Sequence, residues 1–278
     1  MNMPLSGPLV AMALGVVGSS VVYLSKGVMR AGITRRHRLL YLLGMVMNFT
    51  NPLWVIVANR YAPTVYFTSM YGIGLVPLIL YAHRALGEEL TRRTLLGMGV
   101  IAAATILVGF DTNVRGAPAL GGFPRSSVAL VAALWFVAWP GALALLRRPG
   151  RGVQEFMFGV AAGGMAALEA LVKGVAQTSG GVTGFVPSDP FGWVLFATSF
   201  LGAAGAFLLI QWSILRNCRA AYMAATYDIT YVALPVFTVQ LLHPGGSAGV
   251  ITIAGLALFT IGGIVTAGSA PTAGAVAK

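Results

Sequence analysis

Two acidic side chains lie inside apolar stretches that are long enough to cross a membrane. Asp228 is near the middle of residues 219–242, and Glu169 is in residues 153–173. An ionised carboxylate is costly in hydrocarbon, so such acids face a cavity or a partner and typically mark ion or substrate pathways. Asp228 is therefore predicted to bind a cation, as a metal ligand, or to take up a proton that drives export. The alternative is an acid that only holds helices together.

Glu169 has a basic partner on the same helix face. Lys173 follows it by four residues, and Glu before Lys is the favourable order for a helical ion pair. The sequence predicts a local ion pair whose long side chain reaches the outer membrane interface. A direct role of Glu169 in substrate binding is the second interpretation.

Uncharged polar residues recur in the other apolar stretches. Each alone is typical of a hydrogen bond between membrane helices. Together they are predicted to line a central pathway: Tyr23, Asn48, Asn51, Thr68, Gln211, Tyr227 and Tyr231.

Catalytic and cofactor motifs are missing from the sequence. His37, His83 and His243 lie in connectors or at predicted helix ends, and none is spaced with acids or cysteines as a metal site requires. No phosphate-binding Gly-x-x-x-x-Gly-Lys-Ser/Thr motif occurs, and Cys218 is the single cysteine. We expect no enzyme activity and no cofactor, and any transport must be driven by a gradient.

The composition is that of a membrane protein. Hydrophobic residues make up 57% of the 278 residues and charged residues 9%, against about 25% charged in soluble domains. The net charge of +11 is carried by short connectors, unlike the basic face of a nucleic-acid-binding domain. The expected partners are the lipid bilayer and a small ion or solute, without nucleic acid. The oligomeric state stays open, with a homodimer among the alternatives.

Nine apolar runs are long enough to span a bilayer, which predicts an all-α polytopic membrane protein. We number them as predicted spans one to nine: 8–28, 39–59, 62–84, 92–111, 126–146, 153–173, 191–213, 219–242 and 248–268. Prolines within them predict kinks, which transporters place near binding sites, at Pro52, Pro77, Pro140 and Pro235.

The basic residues predict the orientation. The connectors after spans one, three, five and seven, with Lys278, hold 14 of the 18 Lys and Arg residues, and Lys26 is counted among them. Because positive connectors stay in the cytoplasm, we expect a plasma-membrane protein with its N-terminus outside and its C-terminus cytoplasmic.

An internal repeat relates the two halves of the chain. A shift of 158 residues aligns spans two to four with spans seven to nine without a gap. The matched pairs are Gly44/Gly202, Trp54/Trp212, Asn59/Asn217, Thr68/Thr226, Pro77/Pro235, Gly87/Gly245, Thr94/Thr252 and Gly97/Gly255. A shorter sequence match around Lys26 and Lys173 pairs span one with span six.

Because equivalent spans run in opposite directions, this repeat predicts four helices and five helices as inverted repeats, the architecture of many secondary transporters. The predicted units are 1–115, 116–270 and a cytoplasmic tail, 271–278. The symmetry is broken chemically, since Met70 is the repeat partner of Asp228.

Several short motifs resemble a known family. They are Gly44-Met45-Val46-Met47-Asn48-Phe49, Ala62-Pro63-Thr64, Leu86-Gly87-Glu88-Glu89-Leu90 and Leu96-Gly97. The chain resembles the drug/metabolite transporter (DMT) superfamily with its EamA-like inverted repeats. It is most similar to the NIPA-like branch through Gly18-Ser19-Ser20, Lys26 and Lys173-Gly174. The resemblance implies a secondary transporter of Mg²⁺ or another divalent cation.

Two other functions remain open. Span eight reads Ala225-Thr226-Tyr227-Asp228, of which only Tyr227 fits the NIPA-like branch. A proton- or exchange-coupled exporter of a small metabolite, amino acid or drug would instead use an aromatic cavity. A membrane scaffold without transport activity is the third interpretation.

Overall fold

The computed structural model describes residues 6–87, 91–115, 124–145, 151–179, 182–216, 218, 220–242 and 249–268. Within these ranges the chain is helical apart from one short hairpin. The helices are α1 (Ser6–Thr34), α2 (Arg38–Phe49), α3 (Asn51–Tyr61), α4 (Thr64–Ser69), α5 (Leu75–Leu86), α6 (Arg92–Arg115), α7 (Arg125–Leu145), α8 (Arg151–Gln177), α9 (Pro190–Leu215), α10 (Ala220–Leu242) and α11 (Val250–Gly268). A 3₁₀ turn, Tyr71–Gly74, joins α4 to α5, and β1 (Thr178–Ser179) pairs antiparallel with β2 (Val182–Thr183).

The all-α membrane fold class is confirmed at this coarse level. Every predicted span coincides with one or more helices. Among the described residues, six helical segments are long and apolar enough to cross a membrane: Ser6–Thr34, Arg38–Tyr61, Thr64–Leu86, Leu95–Arg115, Val153–Gln177 and Pro190–Ser213. Residues 271–278 lie outside the described part of the chain, as do the repeat positions Asn217 and Gly245.

Large apolar side chains cover the outside of the bundle. Val250 is 80% exposed, Val137 74% and Leu201 66%. A water-soluble monomer rarely shows so continuous an apolar surface, whereas a lipid-facing surface requires one. The multi-pass character thus follows from the surface as well as from helix length.

Spans two and three are not single helices, and proline explains both breaks. Proline has no N–H to give to the carbonyl four residues earlier. Pro52 lies in the first turn of α3, so the helix is interrupted at Thr50. Pro77 lies in the first turn of α5, directly after the 3₁₀ turn. Its repeat partner Pro235 lies inside the continuous α10 instead.

Two groups of helices surround one core. The first group is centred on α1, which packs against α2, α3, α4 and α5. The second is centred on α8, which packs against α7, α9 and α10. The groups meet where α3 contacts α8, where α4 and the 3₁₀ turn contact α10, and where α6 lies along α11.

Glycines allow the closest helix contacts. A Cβ on Gly163 would lie 2.9 Å from the Cα of Tyr227, so α8 presses directly against the α10 backbone. The Gly159-x-x-x-Gly163 spacing therefore serves packing within the chain.

The contact between α6 and α11 is antiparallel and symmetric in sequence. A Cβ on Gly262 would lie 3.0 Å from the Gly97 oxygen, and one on Gly255 would lie 3.4 Å from the Ala104 oxygen. A shift of 158 residues converts Gly97 into Gly255 and Ala104 into Gly262, so the two contacts exchange with each other.

Candidate functional site

Four tyrosines pack together where the two groups of helices meet. Tyr71, in the 3₁₀ turn, lies with its ring centroid 4.0 Å from that of Tyr231 and 5.7 Å from that of Tyr23. Tyr227 stacks on Tyr231 at 5.9 Å, because the two residues are one helical turn apart on α10. We call Tyr23, Tyr71, Tyr227 and Tyr231 the tyrosine cluster. All four are buried, with at most 4% of their surface exposed.

The Lys26 ammonium group lies between two rings of the tyrosine cluster. Its Nζ is 4.0 Å from the Tyr23 ring centroid and 4.3 Å from that of Tyr227. The residue as a whole is half-buried, yet Nζ itself is buried and has no hydrogen-bond partner among the described residues. The assignment of Lys26 to a cytoplasmic connector is wrong, because α1 continues for eight further residues to Thr34.

Several hydrogen-bond donors around this lysine lack an acceptor. The Tyr71 hydroxyl donates to Asn51 Oδ1 at 2.9 Å. In the part of the chain that the structure describes, the buried hydroxyls of Tyr23 and Tyr231 make no hydrogen bond of good geometry, and that of Tyr231 lies near the side chains of Asn51 and Tyr71. With Lys26 Nζ, three donor groups of one cluster thus lack a protein acceptor.

Asp228 borders the cluster from α10. It is fully buried, and neither carboxylate oxygen has a hydrogen-bond partner among the described residues. Its charge interacts with the neighbouring Tyr231. An ionised carboxylate that is buried without a partner costs free energy.

Glu169 and Lys173 form an ion pair on α8 between Glu169 Oε1 and Lys173 Nζ. Both side chains are fully buried, and Lys173 Nζ lies 4.0 Å from the Phe200 ring centroid. The predicted pairing is present, but the prediction that the lysine reaches the membrane interface is wrong, because α9 covers it. Glu169 Oε2 has no hydrogen-bond partner in the described ranges, and the carboxylate interacts electrostatically with Tyr71, Tyr227 and Tyr231.

The remaining predicted residues lie at differing distances from the cluster. Asn48 is half-buried and accepts a 3.4 Å hydrogen bond from Ser25, the neighbour of Lys26. Thr68 is buried but donates to carbonyls of its own helix. Gln211 is half-buried on α9, and its Nε2 has no partner among the described residues. No described ring contact or hydrogen bond joins Thr68 or Gln211 to the cluster.

The structure therefore brings together Tyr23, Asn51, Tyr227 and Tyr231, with Asp228 and Glu169 at the border. Sequence reasoning left Lys26 out of the site and named Tyr71 only as a possible wall of an exporter's aromatic cavity. For Lys26 a signal existed, since the residues that follow it to Ile33 are apolar apart from Arg30. For Tyr71 the signal was its aromatic side chain within an apolar span.

A second polar region joins the helix ends nearest to the start of α1. Gln177 Nε2 donates to the carbonyls of Ile56, Gly184 and Phe185 at 3.0–3.2 Å. Its Oε1 accepts from Asn59 Nδ2 at 3.2 Å, and Asn59 Oδ1 accepts from Thr64 at 2.8 Å.

The same region continues at α6 and α11. Asp111 accepts from the Thr252 backbone N–H at 3.2 Å, from its hydroxyl at 2.5 Å and from Arg115 Nε at 2.9 Å. The Tyr66 hydroxyl connects α4 to this part through the Thr112 carbonyl at 3.2 Å. We call these residues the end network: Asn59, Thr64, Tyr66, Asp111, Arg115, Gln177 and Thr252.

Metal-binding geometry is limited in the described residues. No group of three or more His, Cys, Asp or Glu side chains comes together there. A cation at Asp228 would depend on that carboxylate together with uncharged oxygens.

Comparison with protein-family models, with curated proteins and with solved structures finds no match. The motif resemblance to the drug/metabolite transporter superfamily stays a prediction.

Proposed function

We propose that the protein is a secondary transporter whose solute binds at the tyrosine cluster, between the two groups of helices. The observation that carries this proposal is the concentration of buried polar atoms without protein partners at one place: Tyr23, Lys26, Glu169, Asp228 and Tyr231. Buried polar groups are normally hydrogen-bonded, and exceptions call for a functional explanation.

The packing supports an inverted repeat of four and five helices. A symmetric antiparallel contact such as that of α6 with α11 is expected at a two-fold axis lying in the membrane plane. The irregular segments at Thr50 and at Tyr71–Gly74 also support the proposal, because transporters commonly build binding sites at breaks in their helices. The units 1–115 and 116–270 would then be the two halves that move against each other.

Membership of the drug/metabolite transporter superfamily belongs to this proposal and is supported by the motif resemblance alone. The orientation belongs to it as well. The Arg-rich connectors favour an outside N-terminus and a cytoplasmic C-terminus in the plasma membrane. A reporter fused after Lys278 should be active in the cytoplasm, and an external readout would overturn the orientation.

Solute flux in reconstituted vesicles tests the transport function. Solutes that raise the thermal stability of the purified protein identify candidates, because a ligand that binds only the folded state stabilises it. We expect saturable flux of such a solute, reduced at least about tenfold in Asp228→Asn, a loss of about 1.4 kcal/mol of barrier lowering. Asp189→Asn is the control, since this carboxylate pairs with Arg125 away from the cluster.

Two results would count against transport. One is a ligand that binds and stabilises the protein while no flux is detected in either direction, which would favour the scaffold interpretation. The other is unchanged flux in Asp228→Asn. If a proton drives export, a tenfold proton gradient should speed flux in the wild type and have no effect in Asp228→Asn.

A divalent cation is the second candidate substrate, favoured by the two unpartnered carboxylate oxygens of Asp228. Mg²⁺ prefers oxygen ligands and retains several waters, so one carboxylate with nearby hydroxyls is a conceivable set. Mg²⁺ uptake into the same vesicles should then require Asp228. Uptake that is equal in the wild type and in Asp228→Asn would remove this candidate.

A further inference from the structure

Lys26 is the one described lysine of the bundle interior whose charge has no acidic partner. Lys173 is neutralised by Glu169 on the same helix. Lys26 Nζ makes no hydrogen bond or ion pair within the described ranges and contacts only the faces of Tyr23 and Tyr227. Such contacts contribute about 0.5–2 kcal/mol, which falls short of the several kcal/mol that desolvating an ion costs.

The unused groups beside Lys26 are also donors. The Tyr23 hydroxyl is on the same face of α1, three residues before Lys26. The Tyr231 hydroxyl belongs to the ring that stacks on Tyr227, the second ring beneath the ammonium group. Both hydroxyls are buried without an acceptor in the described structure. An ammonium with two hydroxyl donors is a set that recognises an anionic oxygen group.

The charge of this set favours one negative charge on the ligand. Asp228, which would take up the proton if a proton drives export, makes no ion pair with Lys26. One ammonium balances a carboxylate, whereas a phosphate monoester with about two negative charges would leave a charge uncompensated in a low-dielectric interior. The tilted rings of Tyr71 and Tyr231, whose centroids are 4.0 Å apart, supply aromatic surface beside this set for the body of the ligand.

We propose that Lys26, with the Tyr23 and Tyr231 hydroxyls, binds the carboxylate of the transported solute, so that the substrates are small organic molecules bearing one carboxylate. This inference rests on the proposed transport function and names the chemical class of its substrate. The two halves contribute together, since Tyr23 and Lys26 are on α1 and Tyr231 is on α10.

Thermal stabilisation of the detergent-solubilised full chain tests the proposal with matched probes. Benzoate, phenylacetate and isobutyrate are compared with benzamide, phenylacetamide and isobutyramide, which keep the shape and lose the charge. At least one acid should raise the Tm, and its amide should not. Lys26→Met should raise the half-saturating concentration of that acid at least about tenfold, or about 1.4 kcal/mol, while Lys26→Arg retains binding.

Arg30→Met is the control for loss of one positive charge, because Arg30 is exposed one turn further along α1. The acid–amide comparison needs only the wild-type protein, so it stands even if Lys26→Met does not fold. The proposal is overturned if no acid of the panel is preferred over its amide, or if folded Lys26→Met binds the acid as the wild type does.

Failure of this inference differs visibly from failure of the transport function. Flux of a neutral or cationic solute that needs Asp228 but not Lys26 would overturn the carboxylate assignment and leave the transporter intact. Carboxylate binding that needs Lys26, without flux of that carboxylate, would overturn the transport function and leave Lys26 as a carboxylate-binding residue.

Discussion

The tyrosine cluster and the end network are built from similar residue types but differ in how their polar atoms are satisfied. In the end network, Gln177 makes four hydrogen bonds and Asp111 accepts three. In the cluster, the described contacts leave Lys26, Tyr23 and Tyr231 without acceptors and Asp228 without donors. The end network satisfies its polar atoms by hydrogen bonds within the chain. The tyrosine cluster leaves polar atoms unsatisfied, and these are available to a bound solute or ion.

This contrast separates stability from function. A buried hydrogen bond contributes about 0.5–1.5 kcal/mol net, and an orphaned partner costs about 1–3 kcal/mol. Substitutions in the end network should therefore unfold the protein. Substitutions in the cluster should instead leave folding largely intact and weaken solute binding.

The two interior lysines give the largest expected difference. Lys173→Met strands the buried Glu169 charge and should lower the free energy of unfolding by about 3–5 kcal/mol. Lys26→Met removes contacts worth about 0.5–2 kcal/mol but also a buried charge without a partner, so its stability should stay within about 1 kcal/mol of wild type. Denaturant titration in mixed micelles measures both.

A double variant, Glu169→Leu with Lys173→Met, removes both charges and should recover most of the lost stability, since an apolar pair can replace a buried ion pair. Equal destabilisation by the two single lysine variants would contradict the distinction between an interior lysine with an acidic partner and one without.

Two glutamines offer a matched pair with the next largest expected difference in the free energy of unfolding. Gln177→Leu leaves Asn59 and three carbonyls without their partner and should cost about 2–3 kcal/mol. Gln211→Leu removes an amide whose nitrogen has no partner in the described structure and should be neutral or stabilise by up to about 1 kcal/mol. The same titration measures both, and a larger loss for Gln211→Leu would show that the amide has an unrecognised role.

Two glycine variants test whether solute binding depends on helix position as well as on side-chain chemistry. Gly163→Ala places a Cβ against the Tyr227 backbone and should cost about 1–3 kcal/mol by overpacking. It should also weaken solute binding, because α8 and α10 hold Glu169 and Tyr227 in place. Gly99→Ala is the control, as nothing lies within 4 Å of a Cβ there. Binding that is unchanged in Gly163→Ala would mean that the cluster tolerates movement of α8.

The smallest expected effects concern two hydroxyls. Tyr71→Phe loses the hydrogen bond to Asn51 and should destabilise by about 1 kcal/mol. Tyr231→Phe removes a hydroxyl without a described partner, so stability should change by less than about 0.5 kcal/mol, while solute affinity falls about three- to tenfold. Unfolding and ligand-binding titrations on both variants check this, and the reverse pattern would refute it.

Helix positions could be predicted from the sequence because hydropathy reports the length of apolar runs directly. The breaks at Thr50 and before Pro77 were harder to predict from the sequence. A proline in an apolar run is compatible with a kink, as at Pro235, or with a true interruption. The choice depends on whether neighbouring helices satisfy the freed carbonyl, which one sequence does not reveal.

The site was only partly predictable for a related reason. Intramembrane acids stand out by their desolvation cost, so Asp228 and Glu169 were identified. Lys26 was assigned to a connector because lysines near span ends usually reach water. Its actual surroundings, the faces of Tyr23 and Tyr227, combine residues about 200 positions apart. Such a contact exists only once α1 and α10 have been brought together.

The exchange of contacts between α6 and α11 has a mechanical consequence. If the halves swap shapes when the protein changes from facing one side of the membrane to facing the other, every asymmetric contact between them must be remade. The contacts Gly97–Gly262 and Ala104–Gly255 are instead mirror images of each other in the repeat, so the pair keeps the same geometry before and after. The α6–α11 seam can then act as a pivot about which the rest of the protein turns.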